Sequence, residues 1–129
     1  MTQHIPREGA RVQLEGRWFD VRLRWSGSDQ LWYLDVHGEK GAALASIGAS
    51  PPNTPLITTY AAAEVRKLPE ALVRTEAVMM NLGRWRAALP PGDFFIVEGA
   101  PLCAEFADVG ELIYIDSQEL RRIARVVVR

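Results

Sequence analysis

From Gly16 to Val36 the chain reads GRWFDVRLRWSGSDQLWYLDV, and apolar and polar residues alternate on both sides of Ser26-Gly27-Ser28. Phe19, Val21, Leu23 and Trp25 fall on one face of the first arm, while Trp18, Asp20, Arg22 and Arg24 fall on the other. A period of two is the repeat of an extended strand, so this stretch predicts a twisted antiparallel hairpin with one buried face. In the second arm Trp32, Leu34 and Val36 oppose Leu31, Tyr33 and Asp35. Large apolar groups on both faces predict a strand that is central or covered twice.

The flanking segments extend the hairpin into a β-meander. Val12 to Leu14 alternates before the Glu15-Gly16 turn, and His37 to Gly41 turns into a weaker strand, Ala42 to Ile47. Strands joined by short turns pair antiparallel. Gly48 to Pro55 holds prolines at 51, 52 and 55, which cannot donate to a central ladder, so it reads as a loop. Leu56 to Tyr60 is again β-prone.

The middle of the chain changes character. Ala61 to Leu68 favours helix until Pro69, and Leu72, Val78, Met79, Leu82, Trp85 and Leu89 then share one broad helical stripe. The spacing predicts one amphipathic helix over Glu70 to Leu89, with Pro69 at its first position and Pro90-Pro91-Gly92 as its stop. Gly83 weakens that helix by about 1 kcal/mol. Phe94 to Val97 and Glu111 to Ile115 are further strands. Asp116 and Glu119 have capping-box spacing ahead of Leu120, Ile123, Ala124 and Val127 at helical spacing, although Val126 to Val128 favours strand.

The expected architecture is therefore mainly β. It is a small antiparallel barrel or sandwich of one domain spanning 1–129, with a flexible segment at 1–11, a helical insertion at 61–89 and a basic C-terminal tail at 117–129. A chain of this length buries roughly two thirds of its unfolded surface. Apolar residues make up 48% and charged residues 24%, with a formal net charge of -1. That balance gives no global pull toward nucleic acid or membrane. One cysteine, Cys103, excludes an internal disulfide. No apolar run approaches the length of a membrane span, and the polar N-terminus does not read as a signal peptide.

Chemistry-bearing constellations are sparse. His4, His37 and Cys103 are too scattered for a metal site, so neither metal nor cofactor is expected. Cys103 reads as a small apolar residue rather than a nucleophile. Among Asp20, Asp35 and Glu98, the alternation of Asp20 with Arg22 and Arg24 points to cross-strand ion pairing on a solvated face. Neither a dinucleotide fingerprint nor a P-loop occurs, and the chain is not expected to be an enzyme. Arginines interleaved with Trp18 and Tyr33 resemble the stacking platforms of small single-strand-binding barrels, which is the alternative reading. Arg121, Arg122, Arg125 and Arg129 form the densest positive cluster, a helix face or a docking tail. Trp18, Met79 and Met80 suit protein contact, where aromatics, Met and Arg are enriched.

Taken together, the order of motifs resembles a known family. Gly16-Arg17-Trp18-Phe19-Asp20-Val21-Arg22-Leu23-Arg24-Trp25 and Trp32-Tyr33-Leu34-Asp35-Val36 precede a proline-flanked Leu56. Leu89-Pro90-Pro91-Gly92 follows, and then Asp108-Val109-Gly110 leads into Leu112 to Asp116. The chain looks like the small baseplate plug proteins of contractile-tailed phages of the cyanophage type, over most of residues 12 to 116. Residues 61 to 88 are an insertion relative to that pattern. The resemblance implies a non-catalytic virion component at the centre of the tail baseplate, made in the bacterial host cytoplasm. Its implied partners are tube, hub, spike and wedge proteins, in a symmetric homo-oligomer, with no membrane or nucleic-acid partner. The residues expected at its interfaces are Trp18, Arg22, Arg24, Trp85, Arg121, Arg122 and Arg125. Phe19, Val21, Leu23, Trp25, Trp32, Leu34 and Tyr114 are expected in the core.

Overall fold

The structure, a computed structural model, describes residues 2–6, 8–48, 54–73, 75–97 and 111–128, with backbone alone at 73 and 124–128. Five strands come first: β1 (Thr2–Ile5), β2 (Ala10–Leu14), β3 (Arg17–Ser26), β4 (Leu31–His37) and β5 (Ala43–Gly48). The helices α1 (Leu56–Arg66), α2 (Glu70–Val73) and α3 (Glu76–Ala88) follow, then β6 (Asp93–Val97), β7 (Glu111–Ile115) and α4 (Ser117–Val128). The strands form two antiparallel sheets, ordered β2-β3-β4-β5 and β1-β7-β6. The fold is mainly β and of the sandwich kind, with two open sheets rather than a closed barrel.

The hairpin forms in the register its alternation predicts. Val21 pairs with Val36, Leu23 with Leu34 and Trp25 with Trp32. At the β2–β3 turn Glu15 and Gly16 have φ of 51° and 88°. Positive φ at both central residues is what a type I′ turn requires, and that turn matches the twist of the strands it joins. Phe19, Val21 and Leu23 point inward with Leu34, Val36 and Ile47, and meet Phe94, Ile96, Leu112 and Tyr114 of the second sheet in one core cluster. Leu56, Ile57 and Leu89 close that cluster at the helical side. Trp25 and Trp32, expected in the core, are only half-buried. They lie at the turn end of the hairpin, one pair before Ser26 and Leu31, where their rings meet edge to face at 5.6 Å.

Three other expectations are corrected and one ambiguity is resolved. The N-terminal segment is not a loose arm, because Thr2–Ile5 pairs along its length with β7 and buries Ile5. Leu56 to Tyr60 is the first turn of α1 and not a strand. Its β-branched residues favour extension, but the buried carboxylate of Asp93 accepts the N–H groups of Ile57 and Thr58 at 2.7 and 3.0 Å and the Thr58 hydroxyl at 2.7 Å. A carboxylate on the exposed N–H groups of a first helical turn stabilises helix. Pro55, the local cap position, makes no side-chain cap bond, so the decisive partner lies on β6.

The single helix expected over Glu70 to Leu89 is two helices, because Thr75 is extended at φ -73°, ψ 145°. That break resets the helical phase, and the predicted stripe does not become a buried face. Leu72 and Met79 are 49% and 63% exposed, and of the stripe only Leu89 is buried. The C-terminal tail, ambiguous between helix and strand, is helix through Val128. Asp116 supplies the cap, its carboxylate accepting the Glu119 N–H at 2.8 Å.

Candidate interaction surface

The polar face of the β3 alternation lies on the outer side of the four-stranded sheet, where cross-strand register arranges it in rows. Gln13 stands opposite Trp18, Arg11 opposite Asp20 and then His37, Arg22 opposite Asp35 and then Ser46, and Arg24 opposite Tyr33. The ion pairing expected here forms, but its carboxylate is Asp35 rather than Asp20. Asp35 is 6% exposed. Arg24 Nε donates to it at 2.8 Å, Ser46 Oγ at 2.7 Å, and Arg22 Nε lies at 3.7 Å. Burial alone would raise the Asp35 pKa, but hydrogen bonds from Arg24 and Ser46 and the two positive charges hold it below the usual carboxylate range. The same bond to Asp35 raises the Arg24 pKa. Asp35 thus holds Arg24 by hydrogen bonds and pairs with the more exposed Arg22.

Aromatic faces complete this surface. The Arg24 guanidinium sits 5.1 Å from the centre of the Tyr33 ring, and that of Arg11 sits 5.6 Å from Trp18. Tyr33 donates its hydroxyl to Asp29 at 2.5 Å, which raises its pKa. Trp18 remains 41% exposed. Beside it an open cavity of about 450 Å³ is bounded by Gly9, Arg11, Asp20, Arg22, His37 and Gly41. Of the residues expected at an interface, the structure brings Trp18, Arg22 and Arg24 together here. Arg11, Tyr33 and Asp35 belong to the same surface. The arrangement offers flat cationic and aromatic groups suited to stacking and to hydrogen bonds with carbonyls or carboxylates.

A second cluster joins distant segments. Tyr114 donates its hydroxyl to Glu15 and accepts the Gly92 N–H at 2.6 Å. Glu15 also accepts the Ser117 hydroxyl at 2.6 Å. Burial and the Glu15 carboxylate push the Tyr114 hydroxyl far up. Burial raises Glu15, but the bonds from Ser117 and Tyr114 outweigh it and leave its pKa lowered. Arg17 donates to the carbonyls of Ala87 and Leu89 at 3.1 and 2.7 Å, at the carbonyl end of α3 where positive charge is favoured. Arg86 donates to the carbonyls of Pro90, Pro91 and Gly92 at 2.6, 3.1 and 2.7 Å. Sequence spacing gives no sign of these pairings, because each partner is irregular backbone or a residue far along the chain.

The helices form a third surface. Trp85 is half-buried against the core, its ring 5.7 Å from that of Tyr60. One side of it lines an open groove of about 580 Å³ between α1 and α3. Met80 and Leu72 are each 49% exposed nearby in sequence, with Met79 at 63%. Arg121 is exposed, and Arg122 pairs with Glu119. The side chain of Arg125, together with Arg129, Cys103, Glu98 and the 108–110 motif, lies outside the described residues. Among those described, no group of three or more His, Cys, Asp or Glu is placed to hold a metal ion, and no helix is long and apolar enough to cross a membrane. No protein-family model matches this chain, and neither a curated protein nor a solved structure matches it significantly.

Proposed function

We propose that this chain is a non-catalytic assembly protein, a plug at the centre of a contractile-tail baseplate beside the tube end and the hub or spike. One observation carries the reading. The hairpin, the Leu89-Pro90-Pro91-Gly92 turn and β7, which hold most of the resemblance, meet at a single junction. Arg17 binds the Leu89 carbonyl, Gly92 binds Tyr114, and Tyr114 binds Glu15. Motifs far apart in the sequence thus act as one folded unit, and the end of the additional segment 61–88 is tied to it through Arg86 and the Ala87 carbonyl. The solvent faces support docking: Trp18 clasped by Arg11 on one side, and Leu72, Met79 and Met80 on the other.

The direct test is reconstitution of the purified chain with purified tube, hub, spike and wedge proteins of the same tail. The reading predicts a stoichiometric complex with at least one of them. Absence of binding to all four overturns it. The Arg11–Trp18 and Arg24–Tyr33 pairs also favour a second reading, single-stranded nucleic-acid binding by stacking. That reading predicts quenching of tryptophan fluorescence by oligonucleotides, weakened steeply by salt.

A further inference from the structure

The strand β2 is an edge of the four-stranded sheet: it pairs with β3 and has no second neighbour there. Its turn fixes which backbone groups face outward. Leu14 and Arg17 flank the two-residue turn and bond to each other, and bonded pairs alternate along an antiparallel ladder. Val12 therefore bonds Phe19, and Ala10 bonds Val21. The N–H and C=O groups of Arg11 and Gln13 point away from the sheet. Both residues are exposed, and among the described residues neither makes a backbone hydrogen bond outside the ladder. Proteins blunt such edges with proline, bulges, very short strands or a covering element. The other edges here carry those devices. α1 packs against both β5 and β6, β5 pairs through a register shift at Val36 and His37, and β1 has four residues and runs into Pro6. β2 keeps an unbroken register and holds no proline. Its one charged side chain, Arg11, leans back over the sheet, with the guanidinium 5.6 Å from the Trp18 ring on β3.

We infer that β2 pairs antiparallel with β2 of a second copy of this chain, about a two-fold axis at Val12, and joins the two four-stranded sheets into one. The strand Ala10-Arg11-Val12-Gln13-Leu14 is complementary to its own reverse. Bonding the outward groups of Arg11 to those of Gln13 in the second copy sets Val12 opposite Val12 and Ala10 opposite Leu14. On the outer face each guanidinium then meets a neutral amide whose oxygen accepts from it, and no like charges are opposed. On the inner face aliphatic side chains meet across the strands. The register is specific. Centring the pair on Arg11 would oppose two positive charges, and centring it on Gln13 would run each strand into the other's Glu15-Gly16 turn. Backbone pairing at a sheet edge is a recurrent mode of recognition. The contact is isologous, so it closes at a dimer and brings both Trp18 rings onto one continuous face. The inference goes beyond the proposed function, and its test needs no other protein, so the two fail separately.

The experiment is sedimentation velocity and light scattering of the purified full chain over a wide concentration range. A monomer–dimer equilibrium without higher species is expected. Gln13→Pro removes an outward N–H at an edge, where a single chain tolerates proline. It is expected to weaken dimerisation at least tenfold, with only a small fall in the melting temperature of the dilute protein. A second variant does not depend on that tolerance. Val12→Cys, in a Cys103→Ser background, is nearly the same size as the parent side chain and is expected to form a disulfide dimer with itself on mild oxidation. Val12 is 8% exposed, so random collision does not bring two such thiols together, whereas the two-fold places them opposite each other. A monomer at every concentration, a dimer untouched by Gln13→Pro, or a dimer that Val12→Cys fails to cross-link overturns the inference.

Discussion

Asp35 and Asp93 are the two buried carboxylates of the described core, and they act in different ways. Asp35 organises the outer face by holding Arg24 and Arg22. Its lowered pKa means that its contribution is fully present above the ordinary aspartate value, about 4, and is lost as pH falls through the lower folded value. Asp35→Asn should therefore lower stability at pH 7 by roughly 1–3 kcal/mol. The gap to the parent protein in urea midpoint should close as the pH drops below about 4. A gap that stays constant from pH 7 to pH 3 would show that Asp35 acts by packing alone. Asp93 instead caps α1 across the chain. Asp93→Ala leaves the buried Ile57 N–H and the part-buried Thr58 N–H without their acceptor, at a cost of roughly 3 kcal/mol. Urea unfolding with far-UV circular dichroism should show that loss, whereas Thr58→Val, which removes one hydroxyl bond, should cost about 1 kcal/mol. Equal losses in the two variants would contradict the capping role.

Among the elements, the strands were legible in sequence and the helices only partly so. β3 and β4 announce themselves because a half-buried strand must alternate and because cross-strand pairs such as Leu23–Leu34 share that alternation. β1 has no such pattern, since its partner β7 lies at the other end of the chain. α1 begins earlier than its composition suggests because Asp93, which caps it, is thirty-six residues from Ile57. Arg17 and Arg86 were invisible for the same reason: their acceptors are backbone carbonyls that leave no trace in residue identity. The proline-glycine turn was visible, but the reason for its glycine was not. A Cβ on Gly92 would stand 2.1 Å from the Ile115 carbonyl oxygen and 2.6 Å from the Tyr114 hydroxyl. Gly92→Ala must therefore shift backbone and break the Tyr114 bond, with an expected loss of at least about 2 kcal/mol in thermal or urea unfolding. A variant as stable as the parent would show that the turn is more yielding than this packing allows.

For the whole molecule, the two sheets and α1 share one buried core, and the candidate docking groups sit on its outside. The expectation that Trp18, Arg22 and Arg24 share a surface matches the geometry, while Trp85 belongs to a different one beside Tyr60. Trp18 is the sharpest probe because it is exposed and held only at the sheet face. Trp18→Ala should change stability by less than about 0.5 kcal/mol. Buried aromatic anchors typically contribute 2 kcal/mol or more to an interface, so affinity for a docking partner should fall at least about tenfold. The measurement that tests the central claim is calorimetric titration of the full chain against each purified tube, hub, spike and wedge protein, beside a single-stranded oligonucleotide. The account predicts saturable binding to at least one tail protein, weakened by Trp18→Ala, and no binding to the oligonucleotide. Salt-sensitive binding to the oligonucleotide with none to any tail protein would contradict it.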